Sequence, residues 1–170
     1  MLPERLDQRL NDQLNHEFEA SQAYIAMGAY FSIRGFYGFA DFYLVQAEKK
    51  RSRAMKFYHY LVSADGNLLI SKIDEPYCDF QSSLEVIQYS LEHEKVITDN
   101  IYSLILLAVE LKAYPTLSFL QCFVDEKKIG SCFYPVPLSD ADFPFVRQHT
   151  PSTPAAVCPV SALIVFRVQT

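Results

Sequence analysis

Apolar residues recur at intervals of three, four and seven along much of the chain, and the rhythm then breaks off. Leu6, Leu10, Leu14, Glu17, Tyr24 and Phe31 form one such seam, which predicts a helix from about Pro3 to Ile33. Pro3 is tolerated in a first helical turn, and Gly35 and Gly38 punctuate a short turn after it. A second helix is predicted from about Gly38 to Ala64, with the seam Phe39, Tyr43, Gln46, Lys50, Arg53, Phe57 and Tyr60. The turn residues DGN at 65–67 end it. Residues 65–82 are a long connection holding Gly66 and Pro76, which fits a strand of chain that crosses the molecule. The third helix runs from about Ser83 to Lys112, capped by Ser82 or Ser83, with Glu85 in its first turn. Its seam is Leu84, Ile87, Leu91, Glu94, Ile101, Ile105 and Ala108. The fourth opens at Tyr114-Pro115, carries Leu117, Leu120, Val124 and Lys127 on its seam, and meets Gly130 within about four turns.

Beyond Gly130 the pattern changes. Pro135, Pro137, Pro144, Pro151, Pro154 and Pro159 are six of the chain's nine prolines, a density that forbids a continued helix. The closing VCPVSALIVFRVQT is a short, β-prone apolar run. The chain therefore divides into a helical part, 1–130, and an irregular Pro-rich tail, 131–170, which is either a divergent C-terminus or a frame-shifted segment. Four long helices with two short loops and one long crossover give an all-α four-helix bundle with a short fourth helix.

Composition narrows the functions. Half of the 170 residues are apolar and 21% are charged, which suits one globular domain. A formal charge of −5 argues against nucleic acid or an anionic membrane as partner. No apolar run is long enough to span a bilayer, and the amphipathic N-terminus lacks a signal peptide's apolar core. Cys78, Cys122, Cys132 and Cys158 form no C-x-x-C pair and read as free thiols in a reducing cytoplasm, the alternative being scattered disulfides. His16, His59 and His93 lack partners at ligand spacing, and the many tyrosines and phenylalanines read as core.

The polar residues on the seams are the informative anomaly. Glu17 comes from the first helix, Lys50 and Arg53 from the second, Glu94 from the third and Lys127 from the fourth. A lone buried carboxylate is very costly, so Glu17 and Glu94 require metal, protons or cations. Lys50 and Arg53 are available to neutralise them. The alternative is that both cations snorkel to solvent from the seam's edge.

At these residues the chain resembles the ferritin family, in particular bacterial-type non-haem ferritins. The resemblance runs through LNDQLNHEFEASQAYIAMGAYF, GFADFYLVQAEKKRSRAMKFYHYLV, LEHEKVITDNIYSL and YPTLSFLQCFVDEK, in order, over about residues 5–129. It implies a ferritin-like bundle, self-association into a hollow shell of 24 subunits, and Fe(II) oxidation with storage of the ferric product. It also matches Glu17 and Glu94 to carboxylate ligands of a diiron centre and Tyr24 to the tyrosine beside it. The Glu-x-x-His expected on the second helix is replaced by Lys50 and Arg53. Lys127 and Gly130 stand at two further positions where iron-binding side chains occur. A protonated lysine or arginine cannot bind iron, so the internal site is expected to oxidise iron slowly or not at all. Light-chain ferritin subunits of animals are the family precedent, keeping the bundle and carrying a lysine at the position that matches Lys50. The resemblance thus implies iron as cargo, a cytoplasmic setting, and either a homo-oligomeric shell or one mixed with other ferritin subunits. The alternatives are a structural or interaction bundle without an iron role, and a defective gene product.

Overall fold

The structure, a computed structural model, describes residues 2–130, with side chains through Asp125. It contains α1 (Glu4–Ile33), α2 (Tyr37–Ser63), α3 (Ser83–Glu110) and α4 (Tyr114–Gly130). The four predicted helices are all present, with ends shifted by one or two residues. The tail after Gly130 lies outside the described residues.

The turns explain those shifts. Pro3 is the N-cap of α1, just outside its first turn, and its carbonyl accepts from the amides of Leu6 and Asp7. Gly35 adopts φ +80 and, with the Phe36 amide donating back to the Phe31 carbonyl, closes α1. A side chain there would be strained, which is why glycine serves. Gly38 is already inside α2. At the other end of α2 the left-handed residue is Asp65 (φ 51), not Gly66. Gly66 packs close to Asp7: a Cβ there would meet Asp7 Oδ1 at 2.6 Å, so the Asp7 side chain would have to shift. The cap of α3 is Ser82: its Oγ accepts from the Glu85 amide, and the Glu85 carboxylate accepts from the Gln81 amide.

Two apolar clusters fill the bundle. One gathers Leu6, Leu10 and Leu14 from α1, Phe57 and Leu61 from α2, Ile101 and Leu104 from α3, and Leu120 and Phe123 from α4. The other gathers Tyr24, Met27 and Phe31 from α1, Tyr43 and Ala47 from α2, Phe80 from the crossover and Val86 from α3, with no contribution from the described part of α4. Leu84, expected on the α3 seam, lies at this second end and is 49% exposed. The polar seam residues fall where the two clusters meet.

The crossover is held to α1 by a ladder of side-chain amides that the hydrophobic pattern does not reveal. Asn11 accepts from the Leu69 amide (2.7 Å) and donates to the Asn67 carbonyl (2.6 Å). Asn15 does the same to the Ser71 amide and the Leu69 carbonyl, and Asp7 accepts from the Asn67 amide. Successive rungs are one helical turn apart, so the face of α1 pairs with extended chain as a strand would. Asn11 is buried. Asn11→Ala is therefore expected to cost about 1–3 kcal/mol, the range for leaving buried backbone groups unpaired, as read by urea unfolding.

Candidate functional site

The helical period sets the site. Gln13, Glu17 and Tyr24 lie on one face of α1, four and seven residues apart. That face turns toward Lys50 of α2 and Glu94 of α3. Ser21 Oγ donates to the Ala47 carbonyl (2.9 Å) and ties α1 to α2 beside them.

Glu94 is the hub. Its Oε1 accepts from the Lys50 ammonium and, at 2.9 Å, from the Tyr24 hydroxyl. Lys50 Nζ also lies 5.3 Å from the centroid of the Tyr24 ring, within reach of its π face. Glu94 keeps 23% side-chain exposure, whereas Lys50 is 2% exposed. Lys50 thus faces the interior, and the expected cation–carboxylate pairing is realised between Lys50 and Glu94.

Glu17 is differently placed. It is completely buried, and its Oε1 accepts from Gln13 Nε2 at 2.9 Å. Its Oε2 and the Oε1 of Gln13 have no partner among the described residues. Arg53 is only half-buried. Its positive charge, together with that of Lys50, nevertheless favours the ionised form of Glu17. Lys127 and Gly130 lie on α4 past Asp125, where side chains are outside the described residues, so their relation to the site is not described.

Burial dominates the site's acid–base balance. It pushes the Glu17 carboxyl above its ordinary value of 4.5, and Lys50, Arg53 and the Gln13 hydrogen bond pull only part of the way back. It also holds the Lys50 ammonium below its ordinary value of 10.5, against the opposing pull of Glu94 and Glu17. Tyr43, hydrogen-bonded to Ser90 Oγ beside Tyr24, is likewise raised by burial.

The sign of the Glu17 shift fixes a pH dependence. Above pH 4.5 the unfolded chain releases a proton that folded Glu17 still holds. Glu17 therefore contributes stability that is complete below pH 4.5 and is lost as pH rises through its raised folded value. Glu17→Gln removes this dependence. The stability of the variant relative to the parent is expected to rise with pH across that window and then level off. Urea unfolding of both proteins over a pH series would show it, and a difference that falls with rising pH would contradict it.

The arrangement contains two carboxylates, one of them wholly buried, an ammonium that reaches the other, a phenol and a nearby guanidinium. Ferric iron prefers several oxygen donors and imidazole. Among the described residues no group of three or more His, Cys, Asp or Glu side chains is placed to hold a metal ion. The donors at this site among the described residues do not match those a diiron cluster would take, because an ammonium lies hydrogen-bonded to one of the two carboxylates. Gln13 and Ser90 also belong to the site. Gln13 was open to detection, being one turn before Glu17 on the same face; Ser90 carries no sequence signal that separates it from any other helical serine.

Comparison with known proteins agrees with the fold. The family profile described as a ferritin-like domain matches residues 8–129. Bacterial non-heme ferritins of Staphylococcus aureus and Staphylococcus saprophyticus are each 39% identical over 127 residues, covering 75% of this chain and 76% of the relative. Among solved structures, an open pore ferritin from Archaeoglobus fulgidus superposes with a TM-score of 0.72 at 29% identity, covering 75% of this chain and 78% of that one. Ferritin from Chlorobium tepidum superposes with a TM-score of 0.73, again at 29% identity and with the same coverage.

Proposed function

The chain belongs to the ferritin family, and from that premise we propose that it is an iron-storage shell subunit whose own internal site is closed to iron. The observation that carries the second half is the buried Lys50 ammonium on the Glu94 carboxylate. A fixed positive charge there opposes an incoming Fe(II) by direct repulsion, with little solvent to screen it. It also occupies the carboxylate oxygen that would otherwise face the metal.

Storage does not require every subunit to oxidise iron. A shell can retain iron that oxidises in solution or at intact centres in partner subunits, so self-association carries the function here. Exposed apolar side chains on the crossover (Leu69, Ile70, Ile73) and on α1 and α2 (Ile25, Leu44, Val45) support it. Exposed apolar side chains in such numbers favour contact between copies. No helix among the described residues is long and apolar enough to cross a membrane, which is compatible with a cytoplasmic shell.

The test is the mass of the purified full chain in solution, by light scattering on a sizing column, before and after loading with Fe(II) in air. A large closed assembly that co-elutes with iron is expected. A monomer or dimer that leaves iron to precipitate would overturn the storage reading.

A further inference from the structure

Aromatic rings form an unbroken chain from the charged site to the surface. Tyr24 lies 5.9 Å from Tyr43, Tyr43 stacks on Phe31 at 5.4 Å, and Phe31 meets Tyr30 edge-on at 5.1 Å, all between centroids. Tyr30 then meets Phe80 at 5.8 Å, and Phe80 meets Tyr77 at 4.9 Å. Every member from Tyr24 to Phe80 is buried, and Tyr77 is 43% exposed on the crossover. Packing alone does not call for a phenol at Tyr24, Tyr43 and Tyr30, because phenylalanine fills nearly the same volume without a hydroxyl to satisfy.

The two end members share a feature. The Tyr24 hydroxyl donates to Glu94 Oε1 at 2.9 Å, and the Tyr77 hydroxyl donates to Glu85 Oε1 at 3.0 Å. A phenol gives up an electron at neutral pH far more readily when a base is in place to take its proton. Cations lie over two of the interior rings: Lys50 Nζ is 5.3 Å from the Tyr24 centroid and Arg34 Cζ is 3.7 Å from the Tyr30 centroid, and both disfavour an electron deficiency inside the bundle. Tyr77 has Glu85 and Asp79 as negative neighbours, which favour one.

We propose that this chain of rings conducts one-electron oxidising equivalents outward, from Tyr24 inside the bundle to Tyr77 on the crossover surface. The proposal stands whether or not the shell stores iron. The oxidant is any one-electron oxidant that reaches the bundle from outside, such as the hydroxyl radical formed when Fe(II) meets hydrogen peroxide in the surrounding solution. It takes one electron from Tyr24 and is itself reduced, while the phenolic proton passes to Glu94. Electrons then move inward from Tyr77 by way of Tyr30 and Tyr43, with Phe80 and Phe31 as bridges. Tyr24 recovers its electron, and its proton from Glu94, and Tyr77 gives its proton to Glu85. The radical at Tyr77 ends by taking a hydrogen atom from a dissolved thiol, or by coupling with a second tyrosyl radical to form a carbon–carbon bond. The bundle interior is spared the damage.

The experiment uses the full chain with its four cysteines changed to serine and a ruthenium bipyridyl photosensitiser tethered at Lys49→Cys, an exposed position one residue from Lys50. Flash oxidation is followed by tyrosyl absorbance and by peptide mass spectrometry. A tyrosyl radical followed by dityrosine at Tyr77 is expected. Tyr30→Phe keeps the ring contacts on either side and removes the redox-active phenol, so it should lose the Tyr77 product while circular dichroism stays unchanged. Tyr77→Phe, altered only at an exposed side chain, should lose it as well and leave a longer-lived interior radical. The proposal is overturned if the parent gives no Tyr77 product, or if Tyr30→Phe gives as much as the parent.

Discussion

Lys50→Ala is expected to destabilise the protein by about 3–5 kcal/mol at neutral pH, the range for removing one partner of a buried ion pair. The reason lies less in the lost attraction than in what remains. Without the ammonium, Glu94 keeps the Tyr24 hydroxyl as a hydrogen-bond donor but loses its buried counter-charge. Glu17, wholly buried, loses one of the two cations that favour its ionised form. Replacing Lys50 with methionine and both carboxylates with glutamine should behave differently. It removes all three ionisable groups together, and such exchanges are often neutral or stabilising by about 1–4 kcal/mol. Urea unfolding of both variants separates the cases. A loss below about 1 kcal/mol for Lys50→Ala would mean that the ammonium does not neutralise the cluster.

The double variant Lys50→Glu/Arg53→His should turn the same site into one that needs a cation. It places a third carboxylate and an imidazole beside Glu17 and Glu94, a donor set suited to iron. In the absence of metal the variant is expected to be less stable than the parent, because like charges meet with little solvent around them. Anaerobic Fe(II) should then raise its melting temperature. Mass action gives about 2.7 kcal/mol at a hundredfold excess over the dissociation constant. The parent should show no comparable response. Scanning calorimetry under argon measures both. A double variant that ignores Fe(II) would mean that Glu17 and Glu94 are not positioned to share a metal.

The helices were legible because their seams repeat over four to eight turns; every seam residue of α1 is buried, whereas on α2 and α3 Tyr43, Lys50, Phe57, Ile87, Ile101 and Ala108 are buried and the other seam residues are half-buried or, at Leu84, exposed. The exceptions have local causes. Leu84 is half exposed because it lies at the end of the bundle to which the described part of α4 adds nothing. Asp65 rather than Gly66 takes the left-handed turn, because asparagine-like side chains tolerate that conformation, and Gly66 packs close to Asp7. The site was half legible. Lys50 stood out as a cation where the core should be, and it is buried there. Arg53 carried the same signal but lies half-buried, since EKKRSRAMK is basic on every side and its face cannot be assigned by period alone. The Asn11–Asn15 ladder was hidden, because polar residues one turn apart read as a solvated face until the crossover is seen lying along them.

One measurement bears most directly on the closed site: stopped-flow oxidation of Fe(II) in air by the parent protein, at iron well below one equivalent per subunit. At that loading a working centre acts before any mineral can grow. With Lys50 on Glu94, no fast phase is expected, and the rate should match iron in buffer. The Lys50→Glu/Arg53→His variant, measured in parallel, should gain a fast phase. A fast phase in the parent at substoichiometric iron would contradict a site closed by its own lysine.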